Sequence, residues 1–196
     1  QDVRPTVYGL LVAYRILKDP KYLVAARKGA DWFVKNAVET GGFLGVCGDA
    51  RYAPDFATAQ SAQALLDLYD LTNDSKYKNA AITAAKVYTA SIYTHPIPNR
   101  RLKTVNGTQR QDWEISQVGL SFEHGGIFGS SNIHGPIQLA SHAGLFIRMY
   151  QLTKESIFAD MARSVAWGRD AFLDAKTSVA SYYWNAMNRG AGPYPH

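Results

Sequence analysis

Cysteine and long apolar runs are almost missing from this chain of 196 residues. Cys47 is the single cysteine, so no intrachain disulfide and no thiolate zinc cluster can form within the sequence. No apolar stretch is long enough to cross a bilayer, and no basic-then-apolar signal segment opens the chain. Because a leader could have been removed before Gln1, the destination stays open. One cysteine fits a cytosolic protein, or a periplasmic or secreted one that does without disulfides.

Long runs of basic residues are also missing, although the formal net charge is +5. The only local cluster is residues 99–103, NRRLK, with Arg110 close behind. Without a basic helix face, nucleic acid is not an expected partner. The charge fits an ordinary solvated surface, or attraction to an acidic small molecule or acidic glycan. Phosphate-loop, dinucleotide, nucleophile-elbow and zinc-protease motifs are all missing, so neither a cofactor nor a metal is predicted.

What the chain does contain is a helical hairpin, clearest in residues 62–88. Its first half places Ala62, Leu65, Leu66 and Tyr69 on one face, at the spacing of an α-helix. A short polar break then ends in Asp74, whose carboxylate is well placed to cap the next helix. The second half continues the helical period with tyrosine and alanine. This pattern predicts two antiparallel helices joined by a tight turn.

The same hairpin occurs three times, which makes an internal repeat the firmest inference from the sequence. The three copies align on an anchor tyrosine near the end of the first helix, and the register holds across the turn. Two independent amphipathic helices would rarely match in that way. The equivalent residues are Tyr14, Tyr69 and Tyr150 at the anchor; Asp19, Asp74 and Glu155 five later; Tyr22, Tyr77 and Phe158 eight later; and Ala26, Ala81 and Ala162 twelve later.

The predicted fold class is therefore all-α, with consecutive antiparallel hairpins in a single domain spanning residues 1–196. The long insertion 94–135 is predicted to hold a short β-hairpin at Asn106-Gly107, a short helix at about 111–120 and an irregular glycine-rich end. No helix is predicted in the tail 181–196, where the chain looks cut. The helices are expected at about 5–17, from 20 to before Gly41, as a pair over 56–93 and as a pair over 136–172.

The repeated pattern consists of an inner helix ending in Leu-Tyr, a turn such as LTNDSKY and an alanine-rich outer helix. This pattern resembles that of the six-hairpin glycosidase superfamily. The resemblance covers about residues 5–38, 56–93 and 136–173. It implies an (α/α) toroid, and activities ranging over unsaturated glucuronyl hydrolases, other glycosidases, sugar epimerases and some polysaccharide lyases. Only three of the six hairpins are present. A partial toroid is therefore expected: a fragment of a larger chain, an open half-toroid, or a half that completes its ring with a partner through exposed apolar flanks.

Geometry and the resemblance together direct attention to the long loops. Short turns must lie at one end of consecutive hairpins and long loops at the other, where they lead into helix N-termini that suit anionic or hydroxyl-rich ligands. Glycoside hydrolysis needs two carboxylic groups beside the scissile bond, whereas elimination at a uronate needs a base and a cation. The candidate acids and bases are Glu123, Asp55 and Glu114.

Each candidate also has a purely structural interpretation. Asp55 could cap the third helix, and Glu114 could belong to a helix start that buries Trp113. Glu123 stands out because it precedes His124 and a Gly-Gly pair, where the backbone can approach a ligand closely. The predicted substrate-binding residues are Asp49, Arg51, Arg110, Trp113, His124, His134, Tyr182 and Trp184. A carbohydrate-active domain is the leading interpretation, and a non-catalytic module that binds glycan or protein is the alternative.

Overall fold

The computed structural model describes residues 4–43, 56–94, 97–121, 142–174 and 176–188. Three helical hairpins make up most of this part of the chain, so the predicted hairpins are confirmed. None of the described helices is long and apolar enough to cross a membrane. The helices are α1 Arg4–Leu17, α2 Pro20–Phe33, α3 Phe56–Thr72, α4 Ser75–Thr89, α5 Ala143–Thr153 and α6 Ser156–Gly168.

The three turns repeat one backbone geometry, as the repeated sequence predicts. Each turn has two residues, and the first of them is left-handed and donates its N–H to the carbonyl of the anchor tyrosine. The second residue precedes the next helix as its N-cap. The N–H···O distances are 2.9 Å for Lys18–Tyr14, 2.7 Å for Asn73–Tyr69 and 2.8 Å for Lys154–Tyr150, with φ of 57°, 53° and 59° at the donors.

Side-chain capping holds in two of the three repeats. Asp19 accepts a hydrogen bond from the backbone N–H of Lys21, and Asp74 accepts the equivalent bond from Lys76, both at 3.0 Å. Glu155 makes no such bond, although it occupies the same N-cap position. A glutamate is one methylene longer than an aspartate, and the preferred N-cap residues are short. The sequence register is therefore shared by all three turns, while the cap itself is shared by two.

The hairpins pack side by side in two layers. The inner layer holds α1, α3 and α5, with contacts from α1 to α3 and from α3 to α5. Arg148 of α5 ties this layer together through Asp67 at 2.9 Å and Asp70 at 3.0 Å, both on α3. The outer layer holds α2, α4 and α6, where Lys86 pairs with Glu155 at 2.8 Å. These described layers do not by themselves establish a toroid.

Aromatic rings fill the space between the second and third hairpins. Tyr88, Phe146 and Phe158 are fully buried, and their rings stack in sequence with centroids 5.9 Å and 6.3 Å apart. The helical period of the sequence predicts Ile147 and Tyr150 on one inward face with Phe146, but both side chains are exposed. The buried face is formed by Leu145, Phe146 and Met149 because α5 contacts α3, α4 and α6 together. The prediction of the α5 face was therefore partly wrong.

Exposed apolar side chains on the third hairpin are Ile147, Tyr150, Leu152 and Ile157. The incomplete set of hairpins predicts a sizeable exposed apolar patch on such a chain. Whether it associates with a second copy or with further chain stays a prediction.

The all-α prediction is too narrow, because the described chain also contains a two-stranded antiparallel sheet. Strands β1 Leu102–Val105 and β2 Thr108–Gln111 pair across Asn106-Gly107, as the turn sequence predicted. Both turn residues have positive φ, 49° and 75°, which suits a tight two-residue hairpin. The helix expected over 111–120 is shorter than predicted, a single 3₁₀ turn at Asp112–Ile115. A mainly helical fold with a small sheet describes the protein correctly.

A small second core of Leu120, Ala171, Phe172 and Trp184 joins the end of the insertion and the tail to the end of the third hairpin. Trp184 begins a short helix, α7 Trp184–Asn188, in the tail where no helix was predicted. Asn106 in the β-turn donates to the carbonyl of Met187 at 2.6 Å, which joins the sheet to this helix. Tertiary contacts therefore hold a helix that is too short to be stable alone.

Asp31 on α2 links the first hairpin to the second and gives a pH-dependent prediction. Its Oδ1 accepts a hydrogen bond from the Tyr77 hydroxyl at 2.8 Å and pairs with Lys76 at 2.7 Å. Burial raises the pKa of Asp31, but the bonds from Lys76 and Tyr77 outweigh that effect and the net pKa is lowered. Burial, and then the bond to Asp31, raise the pKa of Tyr77.

We expect Asp31→Asn to reduce the free energy of unfolding by about 0.5–1 kcal/mol at neutral pH, since the carboxylate is half exposed. The pKa of Asp31 is lower in the folded chain than its ordinary value of 3.8, so its carboxylate stabilises the fold fully at pH values above 3.8. This stabilisation is lost as the pH falls through the lowered pKa of the folded state. Urea titrations between pH 7 and pH 3 should therefore show the variant and parent converging in acid. The matched control is Asp160→Asn, whose carboxylate pairs only within α6. A difference that stays constant down to pH 3 would contradict this role.

Candidate functional site

A cleft of about 430 Å³ lies between the segment 98–113 and helix α6. We call it the Trp113–Trp167 cleft, after the two indole rings on its wall. The remaining lining residues are mostly polar: two amide side chains, one arginine and one proline. In chain order the lining is Pro98, Asn99, Arg100, Gln111, Trp113 and Trp167.

The Trp113 ring is held in a fixed position by its neighbours. Its Nε1 donates to Oε1 of Gln111 at 2.6 Å, and its backbone N–H donates to the Asn99 carbonyl at 3.2 Å. The side chain of Gln111 and that of Glu114 also form a reciprocal capping box on the 3₁₀ turn. Trp167 stands on α6 with 52% of its surface exposed. One indole is therefore locked and the other is open to solvent.

The carboxylates nearest to the cleft in sequence have other partners. Asp112 is buried, where it pairs with Lys103 at 2.6 Å and accepts from the Asn99 backbone N–H at 2.9 Å. Glu114 accepts the backbone N–H of Gln111 at 2.5 Å. Neither acid is among the residues that line the cleft, and Arg100 is the one charged lining residue in the described part of the chain.

Three predicted site residues have structural roles in the described chain. Glu114 caps the 3₁₀ turn, which is the helix start of its structural interpretation, although Trp113 beside it is not buried. The catalytic role of Glu114 stays a prediction. Arg110 is buried and donates to three backbone carbonyls: Asp170 at 2.8 Å, Leu173 at 3.1 Å and Glu114 at 3.2 Å. Trp184 is buried too, with its Nε1 bonded to the Ile115 carbonyl at 3.0 Å. These bonds fasten the sheet to the third hairpin.

The other predicted residues divide between the surface and the part of the chain outside the described ranges. Trp113 lines the cleft, and its substrate-binding role stays a prediction. Tyr182 is 43% exposed and meets Tyr183 edge to face, with centroids 4.8 Å apart. The predicted residues that lie outside the described chain are Asp49, Arg51, Asp55, Glu123, His124 and His134.

Sequence reasoning missed several lining residues, above all Arg100, Trp167, Asn99 and Gln111. Trp167 lies on a helix far from Trp113 in sequence, so no local pattern connects them. Arg100 was noticed only as part of a basic cluster. The signal that could have pointed to it is its position beside a Trp-containing capping box, in a segment with two prolines just before it.

A second groove of about 260 Å³ lies in the inner layer, between α1 and α3. It is lined by Tyr8, Gln60, Gln63, Ala64 and Asp67. Asp67 is engaged by Arg148, and Gln63 lies 3.3 Å from Nδ1 of His142. Three of the groove's five lining residues, Gln60, Gln63 and Asp67, carry amide or carboxylate groups, and Tyr8 is the one aromatic residue among the five. The groove is therefore a less complete site than the Trp113–Trp167 cleft.

Fold and cleft together define a class: a mainly helical protein of repeated hairpins, in which the segments beside a small sheet and helix α6 line a cleft with two tryptophans. Beyond that class, the chain matches no protein-family model, and a comparison with curated proteins gives no match either. The resemblance to six-hairpin glycosidases thus depends on the repeated sequence pattern alone.

Proposed function

We propose that the protein is a carbohydrate-active domain that binds a glycan in the Trp113–Trp167 cleft. The observation that carries the proposal is the pairing of two indoles with amide and guanidinium groups. A pyranose ring has an apolar C–H face that packs on an aromatic ring, and hydroxyls around its edge that need hydrogen-bond partners. Large aromatic surface with a few placed polar groups is the usual composition of a small-ligand site.

The two-layer hairpin array supports the further proposal of a partial (α/α) toroid from the glycosidase-like class. Within that proposal, the chain acts on an acidic or complex glycan by carboxylate acid/base chemistry. Glu123 and Asp55, the proposed acid and base, lie outside the described residues, so hydrolysis or elimination is proposed from the sequence alone. A turnover assay of the parent protein separates this enzyme from a module that only binds glycan.

Truncating either indole of the cleft tests the proposed site. We expect Trp113→Ala and Trp167→Ala each to weaken glycan binding at least roughly tenfold, since losing a central aromatic contact typically costs about 2 kcal/mol or more. The measurement is binding to a glycan array of neutral and uronic-acid oligosaccharides, followed by calorimetric titration of the ligands that bind.

The matched control is Trp32→Ala, because Trp32 is 45% exposed on α2 and does not line the cleft. This variant should bind like the parent. Circular dichroism must show unchanged helix content in all three variants, so that lost binding is not lost folding. If both cleft variants keep the affinity of the parent, or if the parent binds no glycan on the array, the proposed function is wrong.

A further inference from the structure

The backbone on both sides of Arg100 is fastened to the 3₁₀ turn that carries Trp113. The N–H of Trp113 donates to the Asn99 carbonyl at 3.2 Å, and the N–H of Asp112 donates to the Arg101 carbonyl at 2.9 Å. The Asn99 side chain also accepts from the N–H of Arg101 at 2.8 Å. Arg100 is thus held at a defined position relative to the locked indole, although its side chain is exposed.

The guanidinium of Arg100 has no carboxylate opposite it within the described chain. The two nearest acids in sequence are occupied, Asp112 by Lys103 and Glu114 by the capping box. No ion pair with Arg100 forms among the described residues. The cleft wall therefore offers a charged fork of donors that has no counterion among the described residues.

We propose that Arg100 makes the Trp113–Trp167 cleft selective for a sugar unit that carries a carboxylate, a uronic acid. This inference rests on the proposed function and names the residue that determines its specificity. A guanidinium matches a carboxylate in a planar, two-point geometry, and hydrogen bonds between charged partners are stronger than those between neutral ones. With the sugar ring packed on an indole, its carboxylate accepts hydrogen bonds from Arg100. The side-chain amides of Asn99 and Gln111 form hydrogen bonds with the sugar hydroxyls.

The test compares ligands that differ at a single group, a carboxylate or its uncharged methyl ester. Oligosaccharides of glucuronic, galacturonic, mannuronic and guluronic acid are titrated, each as the free acid and as the methyl ester. For the ligands that bind, the free acid should bind about tenfold more tightly than its ester. Arg100→Gln should abolish this preference, because it weakens binding of the free acid far more than binding of the ester. Because the arginine is exposed, the preference should also weaken as ionic strength rises.

The neighbouring arginine provides the control. Arg101→Gln removes the same charge one residue away, from a side chain that is exposed and does not line the cleft. It should retain the preference for the free acid. Arg100→Lys keeps the charge but not the planar fork, so we expect it to restore only part of the preference.

The outcomes separate this inference from the proposed function. If esters and free acids bind equally well in the parent, and Trp113→Ala abolishes both, the cleft binds glycan and the role of Arg100 is wrong. If Arg101→Gln abolishes the preference as fully as Arg100→Gln does, general surface charge explains it and the specificity assignment is also wrong. If no oligosaccharide binds in any form, both proposals are overturned.

Discussion

Gly119→Ala is expected to destabilise the protein by about 3 kcal/mol or more, because the added methyl group has no space. A Cβ at this position would lie 2.3 Å from the backbone carbonyl carbon of Ser164 and 2.5 Å from the backbone nitrogen of Val165. Both atoms belong to α6, which cannot move them as a flexible side chain would. The backbone φ of +88° adds strain for any residue other than glycine.

The position matters because Gly119 joins the insertion to the helical array. Its N–H donates to the Tyr93 carbonyl at 2.9 Å, and Tyr93 in turn donates to Leu120, which fills the second core. The control is Gly107→Ala in the β-turn, where φ is +75° but nothing lies within 4 Å of a Cβ. Thermal unfolding should show a far larger drop for Gly119→Ala than for Gly107→Ala. Equal drops would mean that backbone strain at positive φ accounts for both losses of stability. The close approach of Gly119 to α6 would then be wrong.

Phe146→Ala is expected to have a comparable effect, a loss of about 3–5 kcal/mol in the free energy of unfolding. The ring is fully buried between Tyr88 of α4 and Phe158 of α6, so its removal leaves a cavity where the second and third hairpins meet. A urea titration followed by circular dichroism measures the loss.

The adjacent residue is a natural control for this cavity. Ile147 is 47% exposed, so Ile147→Ala should change stability by only about 0.5–1 kcal/mol. The urea midpoint should shift strongly for Phe146→Ala and little for Ile147→Ala. Similar shifts for the two variants would show that α5 does not pack through the face of Leu145, Phe146 and Met149.

The repeat was predictable because its determinants are local. An anchor tyrosine, a two-residue turn and the aspartates at positions 19 and 74 define the turn through bonds within a few residues. Asn106-Gly107 specified the β-hairpin for the same reason, since both residues tolerate positive φ. Local chemistry of this kind can be read from one sequence.

Elements that depend on distant partners were not predictable. The helix Trp184–Asn188 is short, and it is held by bonds to Asn106, Ala171 and Ile115, which lie in other parts of the chain. The exposed positions of Ile147 and Tyr150 follow from which helices surround α5, and the apolar period alone does not contain that information. In both cases tertiary packing decided the outcome.

The residues of the candidate site also divide into those recognisable from local sequence and those that depend on distant partners. Trp113 was identified because an aromatic ring beside two acids is a local pattern. Arg110 was predicted to bind substrate, but a buried arginine bonded to three carbonyls and an exposed one facing a cleft look alike in sequence. Arg100 and Trp167 gain their meaning only when the segment 98–113 packs against α6.

A crystal structure of the protein with a bound uronic-acid oligosaccharide tests most directly the claim that the Trp113–Trp167 cleft binds glycan. We expect a sugar ring packed on the indole of Trp113 or Trp167, with its carboxylate within hydrogen-bonding distance of the Arg100 guanidinium. Sugar bound instead in the groove of Tyr8 and Gln60, with the tryptophan cleft empty, would contradict the claim.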